Sequence, residues 1–103
     1  MAQETTTRIE RFPLGLILMT RGVRELVEAG VVDTTALLGR HASGDWGEIA
    51  PEDSGLNERA LRTGARLFSV YEVAPDTTVW LITEAEDHNG YRHATTALLP
   101  SEY

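Results

Sequence analysis

The stretch RLFSVYEVAPDTTVWLITEA, Arg66–Ala85, decides how this chain folds. Its apolar residues recur every second position. Leu67, Ser69, Tyr71 and Val73 fall on one side, and Phe68 and Val70 on the other. Val79, Leu81 and Thr83 then alternate against Trp80 and Ile82. A period of two is the signature of strands, whose successive side chains point to opposite faces. Between the two runs, APDTT (74–78) is a turn by composition. Further on, Asn89-Gly90 is a strong hairpin signal, and RHATTALLP (92–100) supplies a third strand that Pro100 stops. Both faces of this meander carry apolar residues, so helices are expected to cover one of them.

Upstream the period is helical. Leu16–Met19 reads as a short strand within an apolar run whose Pro13 and Gly15 argue against a central position. Thr20 can cap a helix over Arg21–Ala29, striped by Val23, Leu26 and Val27 and stopped by Gly30. Asp33 can cap a second helix, TTALLGRHA, with Leu37 and Leu38 inward and His41 one turn beyond Leu37. A third helix starts at Pro51, which has no N–H to leave unpaired. Glu52 and Asp53 in its first turn suit the helix dipole. Leu56, Ala60 and Leu61 are its expected buried face, and Gly64 closes it. The expected fold is α+β: a short N-terminal strand and three helices packed on a C-terminal three-stranded antiparallel meander. Residues 1–11 read as a flexible tail and 12–103 as one domain. The apolar end, LLPSEY, is expected to dock on the helices.

The totals narrow the chemistry. With 103 residues and 42% apolar content the chain can bury a core. It has no cysteine, which removes disulfides, thiolate nucleophiles and Cys-based zinc sites together. It has no lysine either, so Schiff-base chemistry is excluded. Sixteen carboxylates against nine arginines give a net charge of −7, which repels phosphate backbones. Direct nucleic-acid binding is therefore not expected, whereas a basic surface on another protein is a natural partner. The polar start and the lack of a long apolar run predict no signal peptide and no membrane span, hence a cytoplasmic protein.

One cluster of reactive side chains stands out: RHASGDWGEIAPED, Arg40–Asp53. His41 with Asp45 and Glu48 is the weak candidate for acid–base or hydrolytic work, with Glu84 or His93 as further members. Carboxylates beside a helix start serve more often as caps and dipole partners. Trp46, between two glycines, either plugs the core or projects as an anchor for a partner. On the second reading Asp45, Trp46, Glu48, Glu52 and Asp53 form a partner-binding surface. No metal site is expected: His88 and His93 straddle a hairpin tip without a third ligand, and His41 has no recognised ligand spacing. No P-loop, G-x-G-x-x-G or G-x-S-x-G is present, and no cofactor is expected.

HASGDWG, GLNERAL, RLFSVY, WLITEAE and TTALLPSEY, in this order over Phe12–Tyr103, resemble a family of small proteins carried by bacterial plasmids and integrative elements. Its members are labelled plasmid-related proteins or methylation subunits of type I restriction enzymes. Relative to that family, His88–Tyr91 looks like an insertion that lengthens the last hairpin. The methylation label does not survive a physical test. A methyltransferase needs a cofactor-binding sheet of well over a hundred residues, a Gly-rich loop and an Asn/Asp-Pro-Pro-aromatic motif, and the chain has none of these. The resemblance implies instead an acidic accessory protein of a mobile element that binds another protein, such as a restriction or CRISPR defence complex. A toxin–antitoxin or regulatory component, and a small hydrolase or nuclease using His41, Asp45 and Glu48, are the alternatives.

Overall fold

The computed structural model describes residues 9–103. Its elements are β1 (Leu16–Met19), α1 (Arg21–Glu28), α2 (Thr34–Ala42), α3 (Pro51–Thr63), β2 (Leu67–Ala74), β3 (Thr77–Thr83), β4 (Ala94–Leu98) and a closing 3-10 turn (Pro100–Glu102). The α+β class and the antiparallel order β2-β3-β4 are as expected. The sheet itself is larger than a meander. β1 adds to it as a fourth strand, parallel to β4, so the order is β1-β4-β3-β2 and the sheet is mixed. Short-range signals cannot reveal a pairing between residues so far apart in the chain.

Cross-strand register divides the side chains. Leu67, Ser69, Tyr71, Val79, Leu81, Thr83, Thr95 and Ala97 share the inner face, all of them buried. Val23 of α1 and Leu37 of α2 join Tyr71, Val79, Leu81 and Ala97 in one core cluster. Phe12, Trp46, Ala60 and Leu67 form a second. Phe68, Val70, Trp80, Ile82 and Thr96 lie on the outer face, half-buried.

Several local expectations need correction. Leu56 is 55% exposed, and Asn57 takes the inward position on α3. Asn89-Gly90 does not join two strands directly. It sits in the ten-residue connection from β3 to β4, where the Asp87 carboxylate accepts bonds from the N–H groups of Asn89 (2.8 Å) and Tyr91 (3.0 Å). The β2–β3 link is the tight turn, with Pro75 and Asp76 between paired Ala74 and Thr77. Thr20 stands at the N-cap of α1 but its side chain makes no capping bond. Glu102 caps that helix instead: its carboxylate accepts from the Gly22 N–H (2.8 Å), the Leu99 N–H (2.8 Å) and the Thr20 hydroxyl. The C-terminal end thus docks at the start of α1 and on the outer sheet face, where Tyr103 meets Trp80 edge-on at 5.6 Å. Residues 1–8 of the expected tail lie outside the described residues. Arg11 is already anchored, its guanidinium forked onto Glu58 at 2.8 and 3.1 Å and its N–H bonded to Ala42 O.

Among the described residues, no helix is long and apolar enough to cross a membrane.

Candidate functional site

The segment that follows α2 runs along the outer edge of β2 and closes it. Val70 N–H donates to Trp46 O (3.1 Å), and Glu48 N–H donates to Val70 O (2.7 Å). Gly47 makes this approach possible, because a Cβ there would sit 1.9 Å from Val70 O. Glu48 then reaches along the strand, its Oε1 accepting the Glu72 N–H at 2.7 Å. One step the other way, the Asn57 side chain pairs with the Phe68 backbone in both directions, at 2.7 and 3.1 Å. Free strand edges recruit other strands, and proteins suppress them by covering the outward N–H and C=O groups. Both outward groups of Phe68 and Val70 and the N–H of Glu72 are covered here.

His41 lies inside this arrangement, with no exposed surface. Its Nδ1 is 2.6 Å from Ser69 Oγ and its Nε2 is 2.9 Å from Thr83 Oγ1. Thr83 Oγ1 is 2.6 Å from Thr95 Oγ1, which donates to Leu14 O at 2.7 Å. These bonds have one consistent direction. A carbonyl only accepts, so the Thr95 proton points to Leu14, and Thr83 must donate to Thr95. Thr83 therefore accepts from His41 Nε2–H, and Nδ1 accepts from Ser69. The network assigns His41 as the neutral Nε2–H tautomer. A second proton on Nδ1 would make the Ser69 hydroxyl turn its own proton away, and burial disfavours the charge. Desolvation lowers the His41 pKa to about 4.

Aromatic rings seal the imidazole. Phe12 meets it edge-on at 5.1 Å and Trp46 at 5.7 Å. Trp46 is 5% exposed, and its indole N–H donates to Glu58 Oε2 at 3.0 Å. The ring therefore plugs the core, and as an anchor displayed to a partner it is corrected.

The carboxylates named with His41 are spent elsewhere. Asp45 takes a two-pronged bond from Arg40 at 2.7 and 3.2 Å and accepts the Gly47 N–H at 3.2 Å. The Arg40 guanidinium lies 4.5 Å over the Tyr71 ring, and the Tyr71 hydroxyl donates to Asp45 O at 2.6 Å. Asp45 thus locks the α2 exit to β2, while Glu48 covers the strand edge. Glu84 is exposed, and its carbonyl accepts from Arg92 at 3.0 Å. His93 pairs with Asp87 at 2.6 Å. Hydrogen bonds from the Tyr91 N–H and from His93 draw the Asp87 pKa down to about 2. Glu52 and Asp53 are exposed on the first turn of α3. The structure brings Asp45, Trp46 and Glu48 together along β2. It does not bring His41 and the carboxylates into one open cleft.

Among the described residues, no three His, Asp or Glu side chains gather into a metal-binding set. Two open depressions are found among the described residues. A groove of about 420 Å³ runs between α3 and the start of β2, lined by Asp53, Leu56, Arg59, Thr63, Arg66 and Phe68 among others. A second, of about 480 Å³, lies between Leu26, Thr78 and Leu99.

Two structural residues escaped sequence reasoning. Arg92 is buried, and its guanidinium donates to the carbonyls of Ala60 (3.1 Å), Ala65 (2.7 Å) and Glu84 (3.0 Å). It ties the end of α3 to the segments after it and after β3, adding a second donor to the Ala60 carbonyl that the Gly64 N–H already caps. Asn57, a polar residue at helical spacing from Ala60, carried the only advance signal: a core-facing amide implies a backbone partner.

No protein-family model, curated protein or solved structure matches the chain.

Proposed function

We propose that this chain is a non-catalytic accessory protein of a bacterial mobile element, of the plasmid-carried family it resembles, that acts by binding another protein. The partner class that fits is a basic, nucleic-acid-gripping surface of a host restriction or CRISPR defence complex. One observation carries the reading: the three residues of the candidate acid–base set are each committed to holding the fold. His41 is sealed and neutral, Asp45 is held by Arg40, and Glu48 occupies the β2 edge. An acid–base pair must lie within hydrogen-bond reach of a substrate, and a sealed imidazole does not.

The surface supplies the attraction. Glu48, Glu52, Asp53 and Glu72 are exposed around the covered edge of β2 and the first turn of α3, in a chain of net charge −7. Opposed fields of this kind steer association and weaken with salt. The test is competition: the purified chain is titrated into a type I restriction complex or a CRISPR effector bound to labelled DNA. Displacement that fades with salt, and is lost in the E52K/D53K/E72K variant at unchanged melting temperature, supports the reading. Equal displacement by the charge-reversed variant, or catalytic turnover by the purified protein, overturns it.

A further inference from the structure

The two edges of the sheet are treated in opposite ways. At β2 the outward N–H and C=O of Phe68 and Val70 and the outward N–H of Glu72 are covered by Asn57, by the Trp46–Glu48 backbone and by the Glu48 carboxylate. At β1 nothing comparable is present among the described residues. Leu16 N–H donates inward to His93 O (2.9 Å) and Thr20 N–H inward to Ala97 O (3.0 Å). In a strand the direction alternates, so Ile17 and Met19 turn their N–H and C=O groups outward. All four β1 side chains are exposed and apolar, from Ile17 at 38% to Leu16 at 64%. β1 carries neither charge nor proline nor bulge, and its shortness, four residues, is the one usual edge protection it has.

We infer that β1 is a self-association edge, and that two copies of this chain pair antiparallel through Leu16–Met19 to make one continuous eight-stranded sheet. Three features select a second copy as the occupant. First, β1 carries no charge, and Phe12–Thr20 is an uncharged window in a chain of net charge −7. In the pairing that sets Ile17 opposite Met19 of the other copy, Arg21 opposes Gly15, so no like charges meet. Second, that register forms about four main-chain hydrogen bonds, since each hydrogen-bonded pair of residues exchanges two. It places Leu18 against its own copy on the two-fold axis. Leu18 lies in register with Thr96, Ile82 and Phe68. The outer apolar row therefore continues across the axis from one copy to the other. Third, the covered β2 edge forbids head-to-tail growth. Only an edge that pairs with itself remains, and an isologous contact closes at two copies.

This inference is independent of the acidic-surface reading, and its salt response has the opposite sign. Two chains of like charge repel, so added salt strengthens self-association while it weakens capture by a basic partner. Sedimentation equilibrium from micromolar to hundreds of micromolar protein tests it. The 11.4 kDa chain is expected to reach twice that mass and to stop there. Ile17→Pro removes one outward N–H that the monomer does not use, and edge strands tolerate proline. It is expected to weaken the dimer at least tenfold, as is Leu18→Lys at the two-fold axis. Hydrogen exchange at the Ile17 and Met19 amides should slow as concentration rises. A monomer at every concentration, growth beyond two copies, or a dimer of unchanged affinity in both variants overturns the inference. Should one variant unfold, the exchange pattern of the unmodified chain decides alone.

Discussion

The His41 imidazole receives a hydrogen bond from Ser69 at 2.6 Å, between helix α2 and strand β2, with no surface left to solvent. That bond and its continuation through Thr83 and Thr95 to Leu14 O tie together one helix, three strands and the segment leading into β1. Four predictions concern this network and the contacts around it.

Acid should weaken the fold through His41. Its folded pKa of about 4 lies below the ordinary 6.5, so the unfolded chain binds the extra proton more readily. Stability from this group is full above about pH 6.5 and falls as pH drops toward 4, below which both states are protonated. A shift of this size corresponds to about 3 kcal/mol across that window. Urea midpoints between pH 7 and 4 measure it. In His41→Phe the slope over this interval should flatten, and a slope equal to that of the unmodified protein would refute the assignment.

Trp46→Ala should unseal the imidazole. Loss of the ring leaves a cavity and costs about 3–5 kcal/mol. Water then reaches His41, so its pKa, read by NMR in any folded fraction, should move up toward the usual value. Trp46→Phe keeps most of the seal but leaves Glu58 without its indole donor, and a smaller loss is expected.

Asn57→Leu should expose the β2 edge. It leaves the Phe68 N–H and C=O without partners, at about 1–3 kcal/mol for the unsatisfied groups. The same change removes the protection that confines sheet pairing to one side. Light scattering of the variant should show concentration-dependent growth beyond two copies, whereas Asn57→Asp should retain the bond from the Phe68 N–H and lose the one to the Phe68 carbonyl.

Arg92→Lys should not rescue Arg92→Ala. The planar fork bonds the three carbonyls through two separate nitrogens, Nη1 and Nη2, and a single ammonium nitrogen cannot occupy both positions. Both variants should lose about 2–4 kcal/mol, since buried groups are left unpaired. Thermal unfolding of the pair provides the comparison, and a lysine variant near the unmodified melting temperature would contradict it.

Much of this architecture was legible in the sequence where the signal is local. The period-two runs of β2 and β3, the Asp33 cap, Pro51 and Gly64 at the ends of α3, and the burial of Leu37 and Val23 follow from neighbours a few residues apart. What stayed hidden depends on distance along the chain. Nothing near Leu16 announces a partner at Ala94, and nothing near Thr20 announces that Glu102 will cap its helix. The candidate site failed for a related reason. His41, Asp45 and Glu48 stand close in sequence, yet the turn at Gly44 and Gly47 sends the imidazole inward and the carboxylates to Arg40 and to Glu72.

The parallel pairing of β1 with β4 sets the timing of folding during synthesis. Leu16 leaves the ribosome 78 residues before Ala94, the difference of their positions in the register. At roughly 5–20 residues per second, that is about 4–16 s in which the LILM strand has no partner. Sheet closure awaits Ala94–Ala97, and the capping of α1 awaits Glu102. A nascent chain stalled ahead of Ala94 should therefore remain protease-sensitive and a client for chaperones, however complete its helices.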